Sequence, residues 1–232
     1  MTNLILLAAG RGSRLGKLTD QIPKAMNLHK GKPIIKYILE NTTTGNFKFA
    51  KTIIIGGYRH QMLSNLGAEL ILNENWETTG PLYSLRIAEK FLNEEDCIVS
   101  YTDIVYDSKY WKETLDLPDD IVVPSNANFL ISWSQRKIDL LADLESFKIK
   151  NNHITEIGKK IQDVNEGQGQ FAGIVKFRPQ GWRKFSKVVF SDNNLKKDMT
   201  SSFSEYLNSG GLIRTVSVNA SWKEFDNPED FE

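Results

Sequence analysis

Leu4-Ile5-Leu6-Leu7 is apolar at every position and ends at small residues, the pattern of a central strand covered on both faces. Thr52-Ile53-Ile54-Ile55, closed by Gly56-Gly57, repeats it, and Asp96–Tyr101 gives a third such run ending at Thr102-Asp103. Between these runs the period lengthens. From Pro33, where a first helical turn tolerates proline, Ile34, Ile35, Ile38 and Leu39 fall on one face. Helical signals recur over 60–66 and 81–92, with Leu82, Leu85, Ile87, Ala88 and Leu92 marking the inner side of the latter. This alternation predicts an α/β fold, a Rossmann-like, twisted and mostly parallel sheet with helices on both faces.

The second half changes character. Phe147–Ile149, the turn Asn151-Asn152 and His153–Ile157 read as a β-hairpin. A strand over 171–177, helices near 182–190 and 199–207 and a strand over 213–218 follow, and Pro228 opens a closing helical turn expected to be capped by Asn227. No repeat or low-complexity linker divides the 232 residues, so 1–232 reads as one domain. The hairpin and its surroundings, roughly 125–170, read as a small insertion capping the carboxyl edge of the sheet, where ligands bind in open α/β folds.

Charge narrows the function. Lys+Arg and Asp+Glu balance at 29 each, which argues against nucleic acid or an anionic membrane as partner and confines anion binding to a local site. Leu4–Ala9 is too short for a signal sequence and no run is long enough to span a bilayer, so the cytoplasm is the expected compartment. The single Cys97 lies in the apolar run Cys97-Ile98-Val99 and reads as a buried structural thiol. The pattern leaves the oligomeric state open, with a homodimer as one solution.

Ala8-Ala9-Gly10-Arg11-Gly12-Ser13-Arg14-Leu15-Gly16-Lys17 directly follows the first strand. Glycines let backbone N–H groups approach a polyphosphate, and Arg11, Arg14, Lys17 and Lys24 add charge. Two familiar loops do not fit. The dinucleotide fingerprint needs a third glycine where Leu15 stands, and the Walker loop needs a shorter glycine spacing and a hydroxyl where Leu18 stands.

The segment Leu7–Leu15, with Leu18-Thr19-Asp20, Ile22-Pro23-Lys24-Ala25 and Gly31-Lys32-Pro33, resembles the signature of the sugar-nucleotide type nucleotidyltransferases. Tyr101-Thr102-Asp103-Ile104 stands where that family places a metal-binding aspartate. Trp222-Lys223-Glu224-Phe225-Asp226-Asn227-Pro228-Glu229-Asp230 resembles its closing motif, whose central aspartate completes the metal site. The resemblance implies a Mg2+ cofactor on Asp103 and Asp226; taken alone, each aspartate is also an ordinary cap or turn residue. It implies that Arg14 and Lys24 hold the triphosphate and that Lys160 meets the acceptor's phosphate, with adjacent Lys159 the alternative. The implied nucleotide pocket comprises Leu7, Ala8, Ala9, Gly10, Arg11, Gly12, Gly57, Tyr58, Thr79, Gly80, Ser84 and Thr102.

Spacing does not choose the base. CTP is implied by a narrower resemblance to the phosphocholine and phosphonate cytidylyltransferases, carried by Asn73-Glu74-Asn75-Trp76, Gly80-Pro81-Leu82-Tyr83-Ser84-Leu85, Ser132–Arg136 and Gly169–Gly173. Trp133, Arg136, Lys160 and Gly173 are the implied acceptor residues. An aromatic face suits an ammonium and an arginine suits a carboxylate or phosphonate, although Trp133 could equally pack the underside of the cap. The expected partners are therefore CTP and a small phosphorylated or phosphonylated acceptor: phosphocholine, 2-aminoethylphosphonate or a phosphoglutamine-like molecule. A sugar-1-phosphate nucleotidyltransferase and an inactive nucleotide-binding regulatory module are the alternatives. Asp107 is expected to cap a helix beginning near Ser108.

Overall fold

The computed structural model describes residues 1–44, 47–134, 141 and 144–231. The strands are β1 (Thr2–Ala8), β2 (Leu28–His29), β3 (Lys32–Pro33), β4 (Thr52–Gly56), β5 (Glu69–Leu72), β6 (Asp96–Tyr101), β7 (Ile104–Tyr106), β8 (Ile121–Asn126), β9 (Glu145–Lys150), β10 (His153–Lys160), β11 (Gln170–Phe171), β12 (Ile174–Phe177), β13 (Arg214–Val218) and β14 (Trp222–Glu224). The described helices are α1 (Ile34–Thr44), α2 (Pro81–Ile87), α3 (Glu89–Glu94), α4 (Lys109–Leu115), α5 (Phe129–Ser134), α6 (Pro179–Val189) and α7 (Met199–Asn208).

The main sheet runs β5-β4-β1-β6-β12-β8-β13-β10-β9, with β11 paired to the end of β8. β5, β4, β1 and β6 are mutually parallel, β12 is antiparallel to both neighbours, and β13 is parallel to β8. The sheet is thus mostly parallel, as the alternation predicts. Its three central runs have no polar face because both faces are covered: Leu4, Ile5, Leu6 and Ile53–Ile55 are all completely buried. Leu4, Leu6 and Ile54 face a cluster with Ile35 and Ile38 of α1 and Trp111 of α4. Ile5, Ile53 and Ile55 face Leu85 of α2, Trp182 and Phe185 of α6 and Phe203 of α7.

The hairpin forms with both Asn151 (φ 51°) and Asn152 (φ 59°) in the left-handed region, the geometry of the tight turn that asparagine tolerates. It joins the sheet through one pair, His153↔Arg214, and sends Phe147, Ile154 and Ile157 into the cluster shared with α6 and α7. Other elements depart from the pattern. The helical run 81–92 breaks at Ala88, where φ −85° and ψ 10° separate α2 from α3. The strand over 171–177 is interrupted by Gly173 at φ +73°, and the signal over 60–66 yields one 3-10 turn, His60–Leu63. β8, a buried strand to which the sequence pattern assigned no element, carries Pro124 and ends in Ser125-Asn126, residues uncommon in strand interiors. Asp107 does cap α4, accepting from Lys109 N at 2.7 Å. The closing turn Pro228–Phe231 is capped by Asp230, whose Oδ2 accepts from Asp226 N and Asn227 N at 2.9 and 2.8 Å, in place of the expected Asn227 side chain.

Candidate active site

β1, β4 and β6 end side by side, so the loops that follow them share one edge of the sheet. Thr102 Oγ1 donates to Leu7 O at 2.8 Å and Tyr58 N to Ala9 O at 3.0 Å, tying the three loops together. Gly57 makes this approach possible: a Cβ there would stand 2.6 Å from Trp76 Cβ and 2.7 Å from Ala9 O. Across the gap, Asn73 fixes the start of α2 by donating through Nδ2 to Thr79 Oγ1 and Ser84 Oγ, both at 3.0 Å. Gly80 lies beneath the strap at 196–197, where a Cβ would meet Lys197 O at 2.5 Å.

The result is a pocket of about 620 Å3. Its walls include Leu7, Ala8, Ala9 and Gly10 from the first loop, Thr79, Gly80 and Ser84 from the start of α2, and Thr102, Asp103 and Lys24 at the base. Four of the implied nucleotide residues stand behind the walls. Gly57 and Tyr58 support them, Tyr58 packing on Trp76 with ring centroids 5.2 Å apart and donating to Asp20 O at 2.6 Å. Arg11 pairs with Asp20 at 2.8 Å, and Gly12, at φ +76°, lies against the stem of Lys24. Trp76 and Tyr101 line the pocket without having been assigned from sequence. Burial, and then the nearby Asp103, raise the Tyr101 pKa well above the usual tyrosine value, so its ring presents a neutral phenol.

Asp226 reaches Asp103 because β14 pairs antiparallel with β7, Glu224↔Ile104 and Trp222↔Tyr106, and Phe225 N donates to Asp103 O at 2.9 Å. Trp222 Nε1 anchors β14 to Ala172 O at 3.0 Å, and the Asp230 carboxylate fixes the Asp226 amide. Lys24 Nζ bridges the two carboxylates, 2.7 Å from Asp103 Oδ2 and in a short hydrogen bond to Asp226 Oδ1. Burial works against its charge, but the Asp103 and Asp226 carboxylates outweigh that and hold its pKa above the ordinary lysine value. Asp103 Oδ1 is buried without a hydrogen-bond partner. Arg14 stands on the far side, 3.7 Å from Asp226 Oδ2.

Arg14 and Asp226 also line a second pocket of about 750 Å3, with Glu145, Ser146, Gln170, Thr200 and Glu224 among its polar walls and Phe147, Ile157 and Phe171 among its apolar ones. The two pockets therefore abut at the Lys24–Asp103–Asp226 cluster. Of the implied acceptor residues, Lys160 is exposed on β10 opposite Glu145 and Gly173 is buried against Ile104; neither lines the second pocket. Lys159 pairs with Glu156 at 2.6 Å. Trp133 lies in α5, but its side chain, like Arg136 altogether, is outside the described residues. The second pocket was missed because its polar residues come from five segments far apart in the sequence, which no single motif brings together.

Among the histidines, none of His29, His60 and His153 lines either pocket. Burial pushes the Cys97 thiol up to about 12, which removes it as a nucleophile.

A family model described as the MobA-like NTP transferase domain matches residues 4–175. The chain is 27% identical over 252 residues to the CTP:phosphoglutamine cytidylyltransferase of Campylobacter jejuni, covering 99% of this chain and 98% of that protein. Among solved structures, the inositol-1-phosphate CTP transferase from T. maritima superimposes with a TM-score of 0.78 at 22% identity, covering 99% of this chain and 91% of its own. The CTP:phosphocholine cytidylyltransferase from Streptococcus pneumoniae gives 0.75 at 18% identity, with 99% and 96% covered. Those identities speak to a shared fold, and the family model, spanning most of the sequence, speaks to descent: the chain belongs to the MobA-like NTP transferase domain family.

Proposed function

We propose that this protein transfers CMP from CTP to a small phosphorylated acceptor of the phosphoglutamine or phosphocholine class, releasing pyrophosphate. The observation that carries the reading is the junction of two pockets at one cluster of opposed charges, Lys24, Asp103, Asp226 and Arg14. The Campylobacter jejuni relative, named for CTP and phosphoglutamine and matched over nearly its full length, supports the choice of nucleotide and acceptor.

The first pocket suits a nucleoside, with small residues and backbone at its walls and Trp76 and Tyr101 as its aromatic surfaces. The second, more polar, suits an acceptor. A bond forms between an acceptor phosphate oxygen and the α-phosphorus, and the α–β bridging P–O bond breaks, its electrons leaving with pyrophosphate. The acceptor's second pKa is about 6, so near neutrality it arrives as a dianion and needs no base. Lys24, kept protonated by its two carboxylates, and Arg14 would then hold phosphoryl oxygens and offset the repulsion between two anions.

The carboxylates of Asp103 and Asp226 fit a divalent cation. They face each other across one lysine, and Asp103 Oδ1 is a buried acceptor with no donor. Two carboxylates suit magnesium, a cation that takes its remaining ligands from water and phosphate. Bound between them, magnesium would supply charge neutralisation at the triphosphate.

Pyrophosphate release tests the reading, with magnesium present and CTP, UTP, ATP and GTP crossed against phosphorylated amino acids, phosphorylated amines, phosphonates and sugar phosphates. Turnover with CTP and a non-sugar acceptor is the expected result. Turnover confined to sugar phosphates, or with another triphosphate in preference, would overturn it.

A further inference from the structure

A third cavity, of about 700 Å3, lies at the other end of the sheet, beside the amino ends of β8 and β13 where Ile121 and Arg214 stand. Arg214 is half-buried, its Nε is sealed from solvent with no acceptor, and no carboxylate among the described residues lies within ion-pairing distance of it. An arginine Nε–H withdrawn from water without an acceptor costs stability unless an occupant supplies one. Asp119 lines the same cavity and makes no direct ion pair among the described residues, although its charge acts on Lys176, whereas Asp120 is engaged by Lys184 at 3.1 Å. Besides the Lys184–Asp120 pair, the cavity thus holds a cation, Arg214, and an anion, Asp119, that do not pair with each other.

Its remaining surface is apolar in part. The Tyr206 ring and Leu212, 71% exposed, both line it. The loop between them is shaped by two glycines. Gly210 sits at φ +88° as the left-handed end of α7, and Gly211 lies so close to Tyr206 that a Cβ would come within 2.4 Å of Cε1. Any side chain at 211 would displace the ring.

We propose that this cavity binds a small zwitterion of the α-amino-acid class with an apolar side chain. Its carboxylate pairs with Arg214, its ammonium with Asp119, and its side chain lies against Tyr206 and Leu212. A simple anion would satisfy Arg214 but meet Asp119; a simple amine would do the reverse. The site is separate from the catalytic cluster but connected to it. β10 and α7 each line two cavities, presenting Ile157 and Thr200 to the second pocket and His153 and Tyr206 to this one.

Calorimetric titration with L-leucine, acetate and isoamylamine tests this on the full chain, alongside NMR of the three histidine rings. Leucine is expected to bind at one site, tighter than about 1 mM, and to move the His153 signal while leaving that of His29 in place. Acetate and isoamylamine should each bind at least about tenfold more weakly. Arg214→Met and Asp119→Asn should each abolish leucine binding, and Arg14→Ala should retain it. Thermal melting checks that each variant folds; should Arg214→Met not fold, the near-isosteric Asp119→Asn carries the test alone. Acetate binding as tightly as leucine, leucine binding lost in Arg14→Ala or unchanged in Asp119→Asn, or no binding below about 1 mM would each overturn the proposal.

Discussion

The two pockets that meet at Lys24 are made in different ways. The first is assembled from loops at the ends of adjacent parallel strands, and its precision comes from backbone: Gly57 against Ala9 O, Gly80 beneath the 196–197 strap, Thr102 on Leu7 O. The second is assembled from side chains of β9, β10, β11, α7 and β14, elements that meet only because the hairpin packs into the core and β14 pairs with β7. Backbone contacts of the first kind constrain a shared portion of a substrate. Side chains of the second kind can change without disturbing the sheet, so under the proposed function a variable acceptor would be recognised there.

The comparison breaks most severely at the residues where the two pockets meet, Asp103 on the side of the first and Asp226 on the side of the second. Asp103→Ala or Asp226→Ala should lower pyrophosphate release about a hundredfold or more while the melting temperature moves by only a few degrees. Near-normal turnover in both would remove the carboxylates from the reaction. Lys24→Met should also abolish most turnover, yet it leaves two facing carboxylates with no cation between them. Its affinity for Mn2+ without nucleotide, read by electron paramagnetic resonance, should therefore rise about tenfold. An unchanged affinity would mean that lysine and metal do not compete for that space.

Sharper discrimination comes from variants confined to one pocket. Gly57→Ala should raise the KM for CTP about tenfold and barely move that of the acceptor, because the added carbon pushes Trp76 away from Ala9. Gln170→Leu should do the opposite, as it removes polar groups from the second pocket alone. Equal effects on both substrates in steady-state kinetics would dissolve the division between the pockets.

The smallest effect concerns the hairpin that carries part of the second pocket. Hydrogen bonds from Lys148 and then Lys159 hold the Glu156 carboxyl at about 2, below its usual 4.5. A depressed folded-state pKa contributes stability above the unfolded value, and that contribution is lost as pH falls from 4.5 toward about 2. Glu156→Gln should thus cost a little stability at neutral pH and nothing in strong acid, measured by urea melts. Because the trio is solvent-exposed, salt should shrink the difference. A cost that persisted undiminished in acid would point to packing instead.

Sequence alone determined the central strands and the glycine-bearing loops at their ends. Continuous apolar runs at 4–7, 53–55 and 97–99 can be satisfied only between two covering layers, and glycines directly after them can serve only where backbone comes close. Local chemistry also fixed the Asn151-Asn152 turn and the Asp107 cap. What tertiary structure decided was everything that depends on distant pairing. That Lys24 lies between Asp103 and Asp226, the latter 202 residues after the lysine, follows from the β7–β14 ladder, whose short strands carry no periodic signal. That Lys160 stays exposed while Gln170 and Thr200 line a pocket follows from how the hairpin and α7 pack over the sheet. The physical reason is one of range: periodicity and turn preference act over a few residues, whereas a pocket built of side chains exists only after the core has chosen its neighbours.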